Sequence, residues 1–175
     1  LVDHALFAHP DHARVALNLG GIANLTAIPA GGERAGVVAF DTGPGNMVMD
    51  ELMIRQSGGA KCMDAGGALA RKGTPDRDRG RPVLEAPYFR KTPPKAAGRE
   101  QFGQDFADAF LTACRERKLS EAATLATAAW LTAASVHDAY TRFVAPLNSA
   151  RNSSGVLTPG GFGGQGQGFP GGFRV

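Results

Sequence analysis

Apolar positions follow two rhythms along this chain. The first third carries short alternating or continuous runs, and the later part repeats at helical spacing. Val15-Ala16-Leu17-Asn18-Leu19 and Ile22–Ile28 are separated only by Gly20-Gly21, and the second run stops at Pro29-Ala30-Gly31-Gly32. That order predicts a β-hairpin. Gly36-Val37-Val38-Ala39-Phe40 predicts a third strand, central in its sheet because no position is polar. It leads into a loop, Asp41-Thr42-Gly43-Pro44-Gly45-Asn46, and Asn46 is placed to cap a helix that starts at Met47. Asp50 and Glu51 lie near the positive end of that helix, Asp50 facing solvent, and Gly58-Gly59 stops it.

Residues 73–98 are rich in Pro, Gly, Arg and Lys and read as a long surface excursion. From Arg99 onward Phe102, Phe106, Ala109, Phe110 and Ala113 fall on one face of a 3.6-residue period, which predicts a helix. Ser120 caps a further helix through Leu125, Trp130, Ala134 and Val136, broken by Pro146. Strand, turn and helix in this order predict an α/β fold.

Composition narrows the function classes. The chain has 175 residues, with 43% hydrophobic and 20% charged, ordinary values for a globular domain with its own core. The net charge of +3 misleads, because Arg151 and Arg174 lie in a C-terminal stretch without acids. The near-neutral remainder argues against an electrostatic nucleic-acid binder. No apolar run is long enough to cross a bilayer, and the start lacks the pattern of a signal peptide. Cys62 and Cys114 fit no metal or redox spacing and read as reduced thiols of a cytoplasmic protein. Residues 149–175, glycine-rich and without period, read as a disordered tail behind a domain at 1–148.

Three segments could carry chemistry. Side-chain-free Gly20-Gly21 between two strands lets backbone amides approach an anion, although a tight hairpin with nothing bound has the same signature. Asp41 ends an apolar strand just before a helix N-terminus, so it can be a general base, a magnesium ligand or a loop cap. The helix start beside it favours phosphate or a developing oxyanion. Lys95 and Arg99 flank another helix start, and read as a phosphate or carboxylate contact or as a solvated basic loop. His4, His9 and His12 cluster without matching a metal-site spacing, and no metal ligand is assigned.

Four of these segments, in this order, resemble the anhydro-N-acetylmuramic acid kinases. They are Val-Ala-Leu-Asn-Leu-Gly-Gly-Ile-Ala-Asn-Leu-Thr at 15–26, Ala-Phe-Asp-Thr-Gly-Pro-Gly-Asn-Met at 39–47, Pro87-Tyr88-Phe89 with Pro93-Pro94-Lys95, and Gly98-Arg99-Glu100. The resemblance implies an incomplete part of an actin-like (ribonuclease H-like) ATPase domain, cytoplasmic, using ATP and Mg2+ in its complete form, with an amino sugar as substrate and a homodimer as assembly. It implies phosphorylation of O6 of the 1,6-anhydro sugar while water opens the bridge at C1, with Asp41 as base. It also places Asn18, Gly20, Gly21, Asn24, Thr42, Gly43, Gly45, Asn46, Lys95 and Arg99 at the substrate and phosphates.

The chain departs from that family in places. Ala96-Ala97 stand where the family has Ser-Thr, and a Thr at 97 would form a capping box with Glu100 worth about 1 kcal/mol. Met63 and Gly66 stand where it tends to have Tyr and Asp. Its Gly-Thr/Met-Ser-Leu-Asp-Gly phosphate loop and its Gly-Gly-Gly-Xaa-Xaa-Asn segment do not occur in these 175 residues, so the chain reads as the middle of such an enzyme. A catalytically dead remnant, a dimerisation or binding module, and another sugar or acyl kinase of the same superfamily are the competing expectations.

Overall fold

A computed structural model describes residues 2–147. The expected tail at 149–175 lies outside the described residues. The predicted hairpin forms: β1 (Arg14–Leu19) pairs antiparallel with β2 (Ile22–Ile28), placing Leu17 opposite Leu25 and Asn18 opposite Asn24. The third strand, β3 (Val38–Pro44), pairs antiparallel with β2, placing Phe40 opposite Leu25 and Asp41 opposite Asn24. Among the described residues the strand order is β1-β2-β3, so β2 is the central strand and β3, expected to be central, is not.

The expected loop after Phe40 is a correction too, because the strand continues through Asp41, Thr42, Gly43 and Pro44. Those residues look like a turn in sequence, yet long-range contacts hold them extended. The Thr42 hydroxyl donates to the Ala23 carbonyl at 3.1 Å, and Gly43 lies so close to Ser135 and Phe89 that a β-carbon would meet both within 3 Å. The sheet is antiparallel, so the placement of ligands at strand ends in parallel sheets does not explain Asp41.

Seven α-helices among the described residues surround this sheet. α1 (Val2–Phe7) is tied to it where Thr26 donates to Asp3 at 2.6 Å, and His4 meets the Gly32 carbonyl at 2.6 Å. α2 (Met47–Gln56) begins where expected, although the Asn46 side chain makes no capping bond. Residues 73–98 are not merely surface. They form α3 (Arg77–Gly80) and α4 (Pro87–Arg90), and they bury Tyr88 and Phe89 in the core. The helix predicted from Arg99 breaks at Gly103 into α5 (Arg99–Phe102) and α6 (Gln104–Glu116). Its buried stripe is Phe102, Ala107, Phe110, Leu111 and Cys114, which leaves Ala109 exposed.

The cap of α5 is Gly98, whose amide donates to Gln101 Oε1 at 2.9 Å, so the box imagined between residues 97 and 100 does not apply. α7 (Glu121–Ala139) is capped as predicted, Ser120 Oγ accepting from the Ala123 amide at 3.2 Å. Pro146 does not end the helical path. A π-helical turn at Tyr140–Val144 precedes it, and residues 145–147 remain helical. The widened turn accommodates a residue that has no N–H for the regular ladder.

The main core joins Val48 and Leu52 of α2, Phe102, Phe110 and Cys114, and Leu125 and Leu131 of α7. A smaller cluster joins Leu25, Ala27 and Phe40 of the sheet to Ala139 and Val144. One face of the sheet therefore rests on the end of α7, and strand alternation sends Asn18, Asn24 and Asp41 to the other.

Candidate functional site

Cross-strand register aligns Asn18, Asn24 and Asp41 in one polar row over the three strands. A β-bulge lies in the register between Ala23 and Asn24, a feature that re-aims side chains locally. Asn18 is exposed, and Asn24 and Asp41 are half-buried. The sequence put Asn18 and Asn24 on one motif and Asp41 on another, and the sheet brings the three together.

Asp41 is held on several sides. Its amide donates to the Lys95 carbonyl at 3.0 Å, and its carbonyl accepts from the Tyr88 hydroxyl at 2.9 Å. Its Oδ2 accepts from the Ala97 amide at 2.8 Å, and Oδ1 has no hydrogen-bond partner among the described residues. A carboxylate with one oxygen anchored and one free is fixed in place yet able to accept a proton. Burial, and then the neighbouring Asp41 charge, push the Tyr88 phenol well above its ordinary pKa, so it stays a neutral donor.

The hairpin tip and the start of α2 are stitched together. Gly20 O accepts from the Asn46 amide at 2.9 Å, and Gly21 O accepts from Gly45 at 3.0 Å and Met47 at 3.2 Å. A β-carbon on Gly45 would overlap the Gly20 carbonyl, so only glycine allows this approach. Two of the helix-start amides expected to meet an anion, those of Asn46 and Met47, are therefore already occupied. The amides of Gly20 and Gly21 themselves make no hydrogen bond among the described residues, and they are the donors left for an anion. The hydroxyl of Thr42 is spent on Ala23, and Gly43 is buried beneath α7, so both act inside the fold.

Lys95 and Arg99, the two cations that flank the start of α5, lie in different surroundings. Arg99 lines an open cleft of about 640 Å³ with Gly21, Asn46, Asp50, Glu51 and Glu100. Asp50, expected to face solvent, is half-buried there; burial first and Glu51 second raise its pKa. The lining is acidic on balance, Asp50, Glu51, Glu100 and Asp105 standing against Arg99. Lys95 is only 9% exposed, with its ammonium 4.8 Å from the Tyr88 ring centre and 5.5 Å from that of Phe143. Burial, then the nearby Arg142 charge, lower its pKa.

No group of three His, Cys, Asp or Glu among the described residues could hold a metal. A second cavity of about 530 Å³, bounded by Met53, Cys62, Met63 and Leu69, contains none of the predicted site residues. Asp64 beside it is spent on the Leu69 and Ala70 amides at 2.8 to 3.1 Å. The residues that sequence reasoning missed as partners of Asp41 are Tyr88 and Ala97. Tyr88 had a signal in its Pro-Tyr-Phe motif, and Ala97 had none because a backbone amide does the work.

Residues 1–159 match the family model described as anhydro-N-acetylmuramic acid kinase. A relative named anhydro-N-acetylmuramic acid kinase from Salinibacter ruber is 51% identical over 144 residues, covering 82% of this chain and 36% of the relative. Relatives of the same name from Caldanaerobacter subterraneus and a Cyanothece species are 36% and 41% identical. The first covers 82% of this chain and 36% of its own length, and the second 83% and 40%. The chain thus spans well under half the length of these relatives.

Proposed function

We propose that this chain, which belongs to the anhydro-N-acetylmuramic acid kinase family, supplies the base-bearing part of an ATP-dependent sugar kinase. In this reading water attacks C1 of the 1,6-anhydro sugar and gives its proton to Asp41. The C1–O6 bond breaks, and O6 takes the γ-phosphoryl group, leaving ADP and N-acetylmuramic acid 6-phosphate for peptidoglycan recycling. The observation that carries the assignment is the half-anchored Asp41 carboxylate, with Oδ2 on the Ala97 amide and Oδ1 open beside Asn24 and Asn18. Such a base contributes on the order of 10²–10⁴-fold in rate.

Gly20 and Gly21 offer free amides to a phosphate, and Arg99 lines the same cleft as Gly21. Magnesium, when bound, neutralises phosphate charge; it would arrive with the nucleotide, since the described residues form no three-ligand cluster of their own. The actin-like ATPase fold, the cytoplasmic location and the homodimer belong to the same reading. The first phosphate loop and the adenosine segment that it requires are not in these 175 residues, so the chain by itself turns over no sugar.

A chimera tests this. The matching 144 residues of the Salinibacter ruber relative are replaced by those of this chain, and ATP-dependent turnover of the anhydro sugar is measured. The expected result is turnover that Asp41→Asn reduces by at least about 10²-fold while nucleotide binding persists. A folded chimera without turnover, or one in which Asp41→Asn keeps near-full turnover, would overturn the reading.

A further inference from the structure

A buried lysine is costly to keep charged, and the Lys95 side chain makes no ion pair or hydrogen bond among the described residues, the Asp138 charge acting on it only at a distance. What it has instead is two aromatic faces, Tyr88 and Phe143. Those rings lead back to Asp41 from both sides. Tyr88 donates its hydroxyl to the Asp41 carbonyl, and Phe143 meets Phe40, the residue before Asp41, edge-on at 5.8 Å. Tyr88 is itself wedged edge-on against Phe89 and Phe102 at 5.4 and 5.1 Å, so its hydroxyl has little freedom. The backbone of Lys95 receives the Asp41 amide, and two residues on, the Ala97 amide reaches the carboxylate.

We propose that Tyr88 and Lys95 are positioning residues for Asp41: the Tyr88 hydroxyl fixes the Asp41 carbonyl, and its ring, with that of Phe143, seats the Lys95 ammonium so that residues 95–97 present the Ala97 amide to the carboxylate. The inference deepens the reading of Asp41 as base and rests on it for its functional meaning. It also reassigns Lys95, which the family resemblance placed at the phosphates. A lysine only 9% exposed, with its ammonium seated against two rings, acts on the ligand through the segment that it anchors.

The test uses the 175-residue chain itself, labelled with ¹⁵N, and reads amide hydrogen exchange residue by residue. Tyr88→Phe keeps the ring and removes the hydroxyl. It is expected to speed exchange at Asp41 and Ala97 roughly tenfold, leaving Leu25 in the hairpin and Leu111 in α6 within about twofold. Lys95→Met is expected to speed the same two amides, and Lys95→Arg, which keeps a cation over the rings, to restore them within about twofold of wild type. Unchanged exchange at Asp41 and Ala97 would overturn the proposal, as would an equal rise across all core amides. Should Tyr88→Phe fail to fold, the Lys95→Met and Lys95→Arg pair decides alone. Because no turnover is read, failure here is distinct from failure of the base assignment, which shows as retained turnover in Asp41→Asn.

Discussion

Asp50 and Asp108 are both carboxylates on helices that face each other, and the structure gives them opposite pH dependences. Asp108 accepts from Arg55, and that hydrogen bond, ahead of the charge attraction, lowers its pKa. A depressed carboxyl stabilises the fold above its unfolded pKa, and that contribution is lost as pH falls through the folded value. Asp50 has the reverse sign. Burial raises its pKa, so the folded chain holds the proton more tightly than the unfolded one, and ionisation subtracts stability as pH rises. Asp108→Asn is therefore expected to lower the melting temperature at neutral pH, and Asp50→Asn to raise it. The Asp50 difference should fade below the ordinary carboxylate range, and the Asp108 difference only at a lower pH still, below its depressed folded value. Calorimetric scans at neutral and acid pH check this, and a destabilised Asp50→Asn at neutral pH would contradict it. The Asp108 partner was not legible in the sequence, because Arg55 and Asp108 lie far apart along the chain. Asp41 stood out because an apolar strand ends on it. Tyr88 and Ala97 did not, since their contacts with it cross 47 and 56 positions.

Elements were legible where local chemistry decides them and hidden where distant contacts do. The Gly20-Gly21 hairpin and the Ser120 cap follow from neighbouring residues alone. The extension of β3 to Pro44 does not, because Thr42-Gly43-Pro44-Gly45 reads as a turn until α7 is placed against it. Thr132 of α7 donates to the Gly45 carbonyl at 3.0 Å, pinning the strand end to the helix. Thr132→Val keeps the shape and leaves that carbonyl without its donor, so it is expected to cost about 1–3 kcal/mol. Gly45→Ala is expected to cost at least as much, about 1–3 kcal/mol or beyond, because the colliding atom is backbone and cannot rotate away. Ser120→Ala, which removes one cap, should lose about 1 kcal/mol and leave the hairpin untouched. Urea unfolding ranks the three. A Gly45→Ala variant as stable as wild type would mean that the hairpin and the start of α2 are not locked together.

At the scale of the whole molecule the sheet is covered unevenly. Cross-strand register puts Val15, Leu17 and Leu19 of β1 on the same face as Leu25, Ala27 and Phe40. The end of α7 covers the latter group, yet Leu17 and Leu19 remain 48% and 58% exposed. The alternation that marked β1 as a strand carried no information about its cover, because cover comes from whatever packs against the face. β1 also pairs on one side only among the described residues, so its outer edge offers free backbone donors and acceptors beside an apolar stripe. Edges of this kind recruit further strands unless a charge, a proline or a bulge blunts them. Arg14 is the one charge in β1, and it stands at the strand end, where it cannot guard the centre. The purified 175-residue chain is therefore expected to self-associate as its concentration rises. Leu17→Lys puts a charge at the middle of the stripe opposite buried Leu25 and needs no change of backbone. It should restore a single sedimenting species over the same concentration range without altering the far-ultraviolet circular dichroism. Sedimentation velocity on the two proteins separates the outcomes. If the wild-type chain sediments as a monomer throughout, the exposed stripe is too small to drive association, and the edge of β1 is inert in this protein.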